Sequence, residues 1–312
     1  MIRQARDRRP AGPGRDGFII IAVLWILVAL ATLATVFSIY LANSAVAVAV
    51  RDEAVEAELL VSSSLEFVAY QLLAPNSVIK PTRGTFRFRL AQAAVTVNYV
   101  AETARIDLNA APKEMLAGLF GALGAQGESA GLYADRIIGW RTAPKPGEAE
   151  NEDARYRNAG LTYGPRGAPF VHVDELWLVQ GLPPAVVERA MPFVTVFSGR
   201  PDVNVFEAPP EVIAALPGMS PARLNAFLDQ RESAPVDPES LPRMLGPNQA
   251  GATAEGSDYI RVRVDIAFDN GRQWATETVV LISLEEEPYY VVSWRNDIDA
   301  AAAGRRAIQG LR

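Results

Sequence analysis

Phe18-Ile-Ile-Ile-Ala-Val-Leu-Trp-Ile-Leu-Val-Ala-Leu-Ala-Thr-Leu-Ala-Thr-Val-Phe37 is the stretch on which the fold of this chain turns. It carries no charge, and after Asp16 no Asp, Glu, Lys, Arg or His appears until Arg51. About 20 apolar residues in a helix cross the hydrocarbon core of a bilayer. Phe18–Tyr40, with Trp25 in its first half and Tyr40 at its far end, therefore reads as a membrane helix. Arg3, Arg6, Arg8, Arg9 and Arg15 precede it and no base follows it closely. Lys and Arg concentrate on the cytoplasmic side of membrane segments, so the N-terminus is expected in the cytoplasm and the bulk of the chain outside.

Beyond the span, Arg51, Asp52, Glu53, Glu56 and Glu58 bring charge, while Val55, Leu59, Leu65, Val68, Leu72 and Leu73 recur at helical spacing. Pro75 and Asn76 are stop signals. One helix over 18–73, about 80 Å long at 1.5 Å per residue, is apolar all round in its first half and amphipathic in its second. Two alternating runs follow, Thr85–Leu90 and Ala94–Val100, and three more lie near the end, Tyr259–Phe268, Thr276–Ser283 and Tyr289–Trp294. Asp269-Asn270-Gly271 joins the first two of these as a hairpin turn. Between the groups, Arg105 to Pro247 reads as helices and turns. The expected fold class is α+β: a long N-terminal helix packed on a small antiparallel sheet, with a large helical insert. The expected divisions are a leader at 1–17, the helix at 18–75, an α/β body at 76–104 and 255–298, an insert at 105–250 and a flexible tail at 299–312.

The insert contains an internal repeat. Ile106–Leu119 aligns with Val203–Leu216, sharing Ala111/Ala208, Pro112/Pro209, Glu114/Glu211, Ala117/Ala214 and Leu119/Leu216. Proline in the first turn with an acid just after it suits a helix start. Each copy reaches a later helix ending in arginine, at Arg141 and Arg231, and Leu178–Ala185 matches Ala215–Ala222 around a glycine turn. These resemble helix-hairpin-helix units, which makes a membrane-anchored DNA-binding or DNA-uptake protein the alternative reading. The charge opposes it: residues 201–250 hold seven acids against three arginines, and the whole chain has a formal charge of −6. Such a surface repels phosphates instead of releasing their counterions.

The chain has no cysteine and one histidine, His172, which removes thiolate chemistry and most histidine-based zinc and triad designs. Asp107, Asp174 and Glu175 read first as capping and solvated carboxylates. No Gly-x-Ser-x-Gly, Walker A or His-Glu-x-x-His pattern occurs. No enzyme is expected.

The N-terminal segment is longer than the apolar core of a cleaved secretory signal, which leaves a plain single-pass anchor or a prepilin. A basic leader ending in Gly17, followed by Phe18 and an unbroken apolar helix, closely resembles a class III prepilin signal. In that family a prepilin peptidase cuts after the glycine, here between Gly17 and Phe18, and methylates the new N-terminal residue, here Phe18. Most pilins carry glutamate at the fifth mature position, where this chain has Ala22. The K-type minor pseudopilin of type II secretion lacks that glutamate. Asp107-Leu-Asn with Ala111, Pro112 and Glu114, the Asp174–Leu182 segment, Pro192–Phe197 and Val203–Met219 also look like the K-type helical insert.

The resemblance implies a structural subunit in the bacterial inner membrane, bulk periplasmic, capping the pseudopilus tip, initiating assembly and supporting protein export. It implies I- and J-type minor pseudopilins, the prepilin peptidase and the inner-membrane secretion platform as partners, and no nucleic acid. No cofactor is required. Calcium is possible because K-type relatives bind it, and Glu148–Asp153 is a carboxylate-rich stretch, although no ligand set is assigned. Ala22 then becomes an assembly determinant, since a topmost subunit has no amine above it to neutralise a buried carboxylate.

Overall fold

The structure is a computed structural model that describes residues 16–74, 81–143, 149–233, 240, 244–246, 249–283 and 286–297, apart from the side chains of 16–19, 42–53 and 149–151. The expected stop at Pro75-Asn76, most of the leader and the 299–312 tail lie outside the described residues. The chain divides into two compact units, Met1–Leu59 and Leu60–Arg312.

Helix α1 (Asp16–Leu73) is 58 residues long. It starts two residues earlier than expected. Nothing in Asp16-Gly17 forbids helix, and an acidic residue type suits the positive end of the helix dipole. In the first unit, Ile20–Leu41 has a mean hydropathy of 2.7 and none of its span is buried by protein.

The second unit begins within α1 and continues with β1 (Arg83–Leu90), β2 (Ala93–Ala101), β3 (Ile106–Asp107), α2 (Lys113–Ala122), α3 (Ser129–Arg141) and α4 (Ala149–Asn158). Then come α5 (Pro184–Ala190), β4 (Val194–Thr195), β5 (Val203–Asn204), α6 (Pro210–Ala214) and α7 (Pro221–Ser233). The last elements are β6 (Ala252–Thr253), β7 (Tyr259–Phe268), β8 (Gln273–Ile282) and β9 (Tyr289–Asp297). Five strands form one antiparallel sheet in the order β1-β2-β7-β8-β9. The chain thus leaves the sheet after its second strand and re-enters it as the next neighbour.

Alternation decides which face is covered. Along β2, Ala93, Val95, Val97, Tyr99 and Ala101 are buried in turn. On α1, Leu60, Val61, Ser64, Leu65, Val68, Ala69 and Leu72 are buried at helical spacing. Phe67 rests with its ring centroid 6.1 Å from Phe86 and 5.5 Å from Phe88 of β1. The Tyr99 hydroxyl donates to Gln71 Oε1 at 3.2 Å. This end of α1 therefore packs on the apolar sheet face, as the amphipathic half of the helix requires.

The Asp269-Asn270-Gly271 turn forms as expected. Gly271 takes φ +86° and its N–H donates to Phe268 O at 3.0 Å. Four expected strands are longer in the structure: β1 starts at Arg83, and β2 gains a residue at each end. β8 starts at Gln273, because Trp274 pairs with Ile266, and β9 runs on to Asp297 opposite Ala275. The region expected to hold only helices and turns also contains β3, β4 and β5, which form two parallel pairs, β3 with β4 and β5 with β6 just beyond that region. Two-residue bridges are too short to show a period in sequence, and their partners lie far along the chain.

Candidate functional site

Two features bear on function: the apolar helix and the helical region carried by the sheet. Trp25 is 72% exposed and Tyr40 66% exposed, as are Ile20, Leu24, Leu27 and their neighbours around the whole circumference of α1. A helix that protein leaves bare on every side and that holds no charge needs lipid or other helices as its surroundings. Ala22 sits on it half-buried. Gly17 and Phe18 lie in the first turn of α1, and their side chains are outside the described set.

The sequence repeat is a structural duplication. Asp107 Oδ1 accepts the Asn109 N–H at 2.7 Å, and Asn204 Oδ1 accepts the Phe206 N–H at 3.0 Å, so equivalent side chains make equivalent turns. Arg141 donates to the carbonyls of Leu108 and Ala111, while Arg231 donates to those of Val205 and Ala208 at 2.9 and 2.7 Å. These four acceptors are repeat partners in pairs. The correspondence extends further than the sequence alignment. The Thr195 carbonyl accepts Leu108 N–H and its hydroxyl accepts Phe197 N–H, and Thr253 does the same for Val205 and Glu255. Where the two copies meet, Gly118 of α2 lies against Ala215, its own repeat equivalent.

The carboxylates considered for chemistry are engaged in holding this scaffold. Asp107 Oδ2 accepts Ser198 Oγ at 3.1 Å and the Gly199 N–H at 2.7 Å. Glu175 takes Trp140 Nε1, the Val171 N–H and Arg166. His172 Nδ1 accepts the Asp174 N–H and caps a short 3-10 turn over Val173–Leu178. At the glycine turns, Gly181 and Gly218 take φ +92° and +70°, each between two short helical segments. Arg223, the base next to the Gly218 turn, bends back onto the carbonyls of Gly218 and Leu245.

Glu148 lies outside the described residues, and Ala149–Asn158 is helix α4, so Asp153 does not belong to a loop as the calcium reading supposed. Glu152 turns Oε2 toward Arg136 and Arg155, at 3.7 and 3.8 Å, and its Oε1 is buried without a hydrogen-bond partner. Burial pushes its carboxyl above the usual range despite Arg136. Calcium takes six to eight oxygens. Among the described residues no three His, Asp or Glu side chains gather to hold a metal.

A buried ionic junction, missed by sequence reasoning, ties the helical region to the sheet. Glu102 is fully buried just after β2. Arg261 of β7 donates to its two oxygens at 2.7 and 3.0 Å, and the Thr195 hydroxyl donates to it as well. Arg261 also reaches Glu277 Oε1 at 2.5 Å. Burial alone would raise the Glu277 carboxyl, but Arg261 and Arg105 more than offset it and hold it below the usual range. A depressed carboxyl contributes stability above its unfolded value, about 4.3, and loses it as pH falls through the folded value. Thermal melts of the Glu277→Gln variant should therefore converge with those of the parent protein as pH drops from 5 toward 2. A gap that stays constant over that range would remove Glu277 from the titration.

Residues 93–199 match the family described as type II secretion system (T2SS), protein K. This stretch is similar to protein K of type II secretion. It begins at β2 and ends at Gly199, whose N–H closes on Asp107, so it includes Glu102 and the whole first repeat copy. A chain in the crystal structure of the GspK-GspI-GspJ complex from the enterotoxigenic Escherichia coli type 2 secretion system superposes with a TM-score of 0.55 at 17% identity. That match covers 79% of this chain and 98% of the other. At that identity the likeness is one of fold, and it reaches beyond residues 93–199. No curated protein matches the sequence. The K-type resemblance read from the sequence is borne out. The asparagine-for-aspartate exchange at Asn204 distinguishes the second repeat copy from the one inside residues 93–199.

Proposed function

We propose that this chain is a minor pseudopilin that sits at the tip of a type II secretion pseudopilus, starts its assembly and supports protein export. The observation that carries the proposal is the protein K match over residues 93–199, in a chain whose helical region leaves the sheet after β2 and returns at β7 and whose N-terminal helix holds a long apolar span. The role is structural, and no catalytic step is assigned. The helix Ile20–Leu41 would hold the subunit as a single-pass anchor in the inner membrane, with the N-terminus cytoplasmic and the sheet periplasmic. Prepilin peptidase would cut between Gly17 and Phe18 and methylate Phe18. The partners would be I- and J-type minor pseudopilins, in line with the complex to which the similar solved chain belongs, together with the secretion platform.

Ala22 supports the tip position. A carboxylate in lipid is costly unless paired, and the top subunit has no amine above it. The bulk of the helical region would also obstruct a further subunit.

The decisive experiment expresses the full chain with prepilin peptidase and I- and J-type partners. The expected result is a mature N-terminus at methylated Phe18 and a ternary complex recovered from membranes. An intact leader, or recovery of the chain without those partners, would reduce it to a plain anchor. Ala22→Glu should lower incorporation at the tip, and undiminished tip incorporation would remove the argument from the missing carboxylate.

A further inference from the structure

The sheet face opposite the Leu60–Leu72 stretch of α1 holds a groove. Its volume is about 610 Å³. Two cross-strand rows make its floor: Arg83, Val100 and Arg261 in one, and Thr85, Asn98, Arg263 and Glu277 in the next. Arg105 and Glu207 line it from the helical region.

Three of its four arginines are well matched. Arg83 meets Glu207 at 3.1 Å, Arg261 meets Glu102 and Glu277, and Arg263 meets Asp265 at 2.9 Å. Arg105 is not. Its guanidinium comes no nearer than 3.9 Å to Glu102 Oε1, whose oxygens Arg261 and Thr195 already occupy, and it makes no other ion pair or side-chain hydrogen bond among the described residues. Only 21% of its side chain is exposed. Burial, then the neighbouring Arg261, push its pKa down to about 10. A mostly buried cation on a cavity wall, held only by the more distant charges of Glu102 and Glu277, lacks a negative partner in direct contact.

We propose that this groove is a docking site for an acidic peptide segment of a partner protein, whose carboxylate pairs with Arg105. The guanidinium fork suits a carboxylate. The cavity exceeds what a lone small anion fills, since a water takes about 30 Å³ of liquid volume. Glu207 and Glu277 in the lining repel a densely charged polyanion but tolerate an isolated carboxylate. β1 is the edge strand, so the groove runs out to the sheet margin, where an extended chain can enter. This site does not depend on the pseudopilus reading, because it follows from the charge arrangement alone.

The test uses the full chain in detergent micelles and two fluorescein-labelled, capped probes, Gly-Ser-Glu-Ser-Gly and its Gln counterpart, read by anisotropy at low salt. The Glu probe should bind about tenfold more tightly than the Gln probe, the scale of one charge-assisted pair. Arg105→Gln should abolish that preference. Asn98→Asp places a carboxylate opposite Arg263 and keeps the acceptor that Thr85 Oγ1 uses at 2.9 Å. It should also abolish the preference, and it serves where Arg105→Gln fails to fold. Equal binding of the two probes overturns the proposal, as does a preference that survives both variants. If neither probe binds while millimolar sodium sulfate raises the melting temperature of the parent protein more than that of Arg105→Gln, the groove is a small-anion site and the peptide proposal is wrong.

Discussion

Replacing Glu102 by alanine should lower the unfolding free energy by about 3–5 kcal/mol, the cost of removing one member of a buried ion pair. Glu102 is 1% exposed and accepts both forks of Arg261. Its loss leaves Arg261 with Glu277 alone, leaves the Thr195 hydroxyl without its acceptor, and brings Arg105 no compensation. The measurement is a thermal or urea melt of the purified chain, where the melting temperature should fall by on the order of 10 °C. Arg261→Met combined with Glu102→Leu should recover much of the loss, because an apolar pair of similar volume can replace a buried ion pair. If Glu102→Ala alone melts with the parent protein, the junction contributes no stability and merely sets the register between sheet and helical region.

Gly118→Val should cost about 3 kcal/mol, the upper end for forcing atoms into a packed interior. A Cβ at Gly118 would stand 2.9 Å from the Ala215 carbonyl carbon and closer still to its oxygen, and both are main-chain atoms that cannot rotate away. The control lies one turn on in the same helix. A Cβ at Gly121 meets nothing within 4 Å, so Gly121→Ala should be neutral or stabilise by up to about 1 kcal/mol through helix propensity. Equal effects at the two glycines would mean that α2 and α6 do not bear on each other there.

Both predictions concern contacts between residues far apart in sequence, and that distance separates what was legible from what was not. The repeat could be read because Ala111-Pro112 and Ala208-Pro209 begin helices by local chemistry. Its meaning could not: the pairing of Gly118 with Ala215, and the parallel roles of Thr195 and Thr253, appear only when the copies face one another. Glu102 gave no local sign of burial, because its partner Arg261 lies 159 residues later. His172 caps a 3-10 turn by accepting the Asp174 N–H.

By itself the sequence determined the apolar span, the alternating strands, the hairpin at Asp269–Gly271 and the K-type resemblance. The first three depend on periodicity or turn chemistry within about 20 residues, where side-chain spacing alone selects the conformation, and the resemblance rests on motifs in order from Gly17 to Met219. Tertiary structure alone decided that β2 and β7 are neighbours, that a buried carboxylate joins the sheet to the helical region, and that Arg105 is left without a close anion beside an open groove. Such features depend on which charges remain after folding has matched the others, and that balance is set by distances in space that no spacing along the chain encodes.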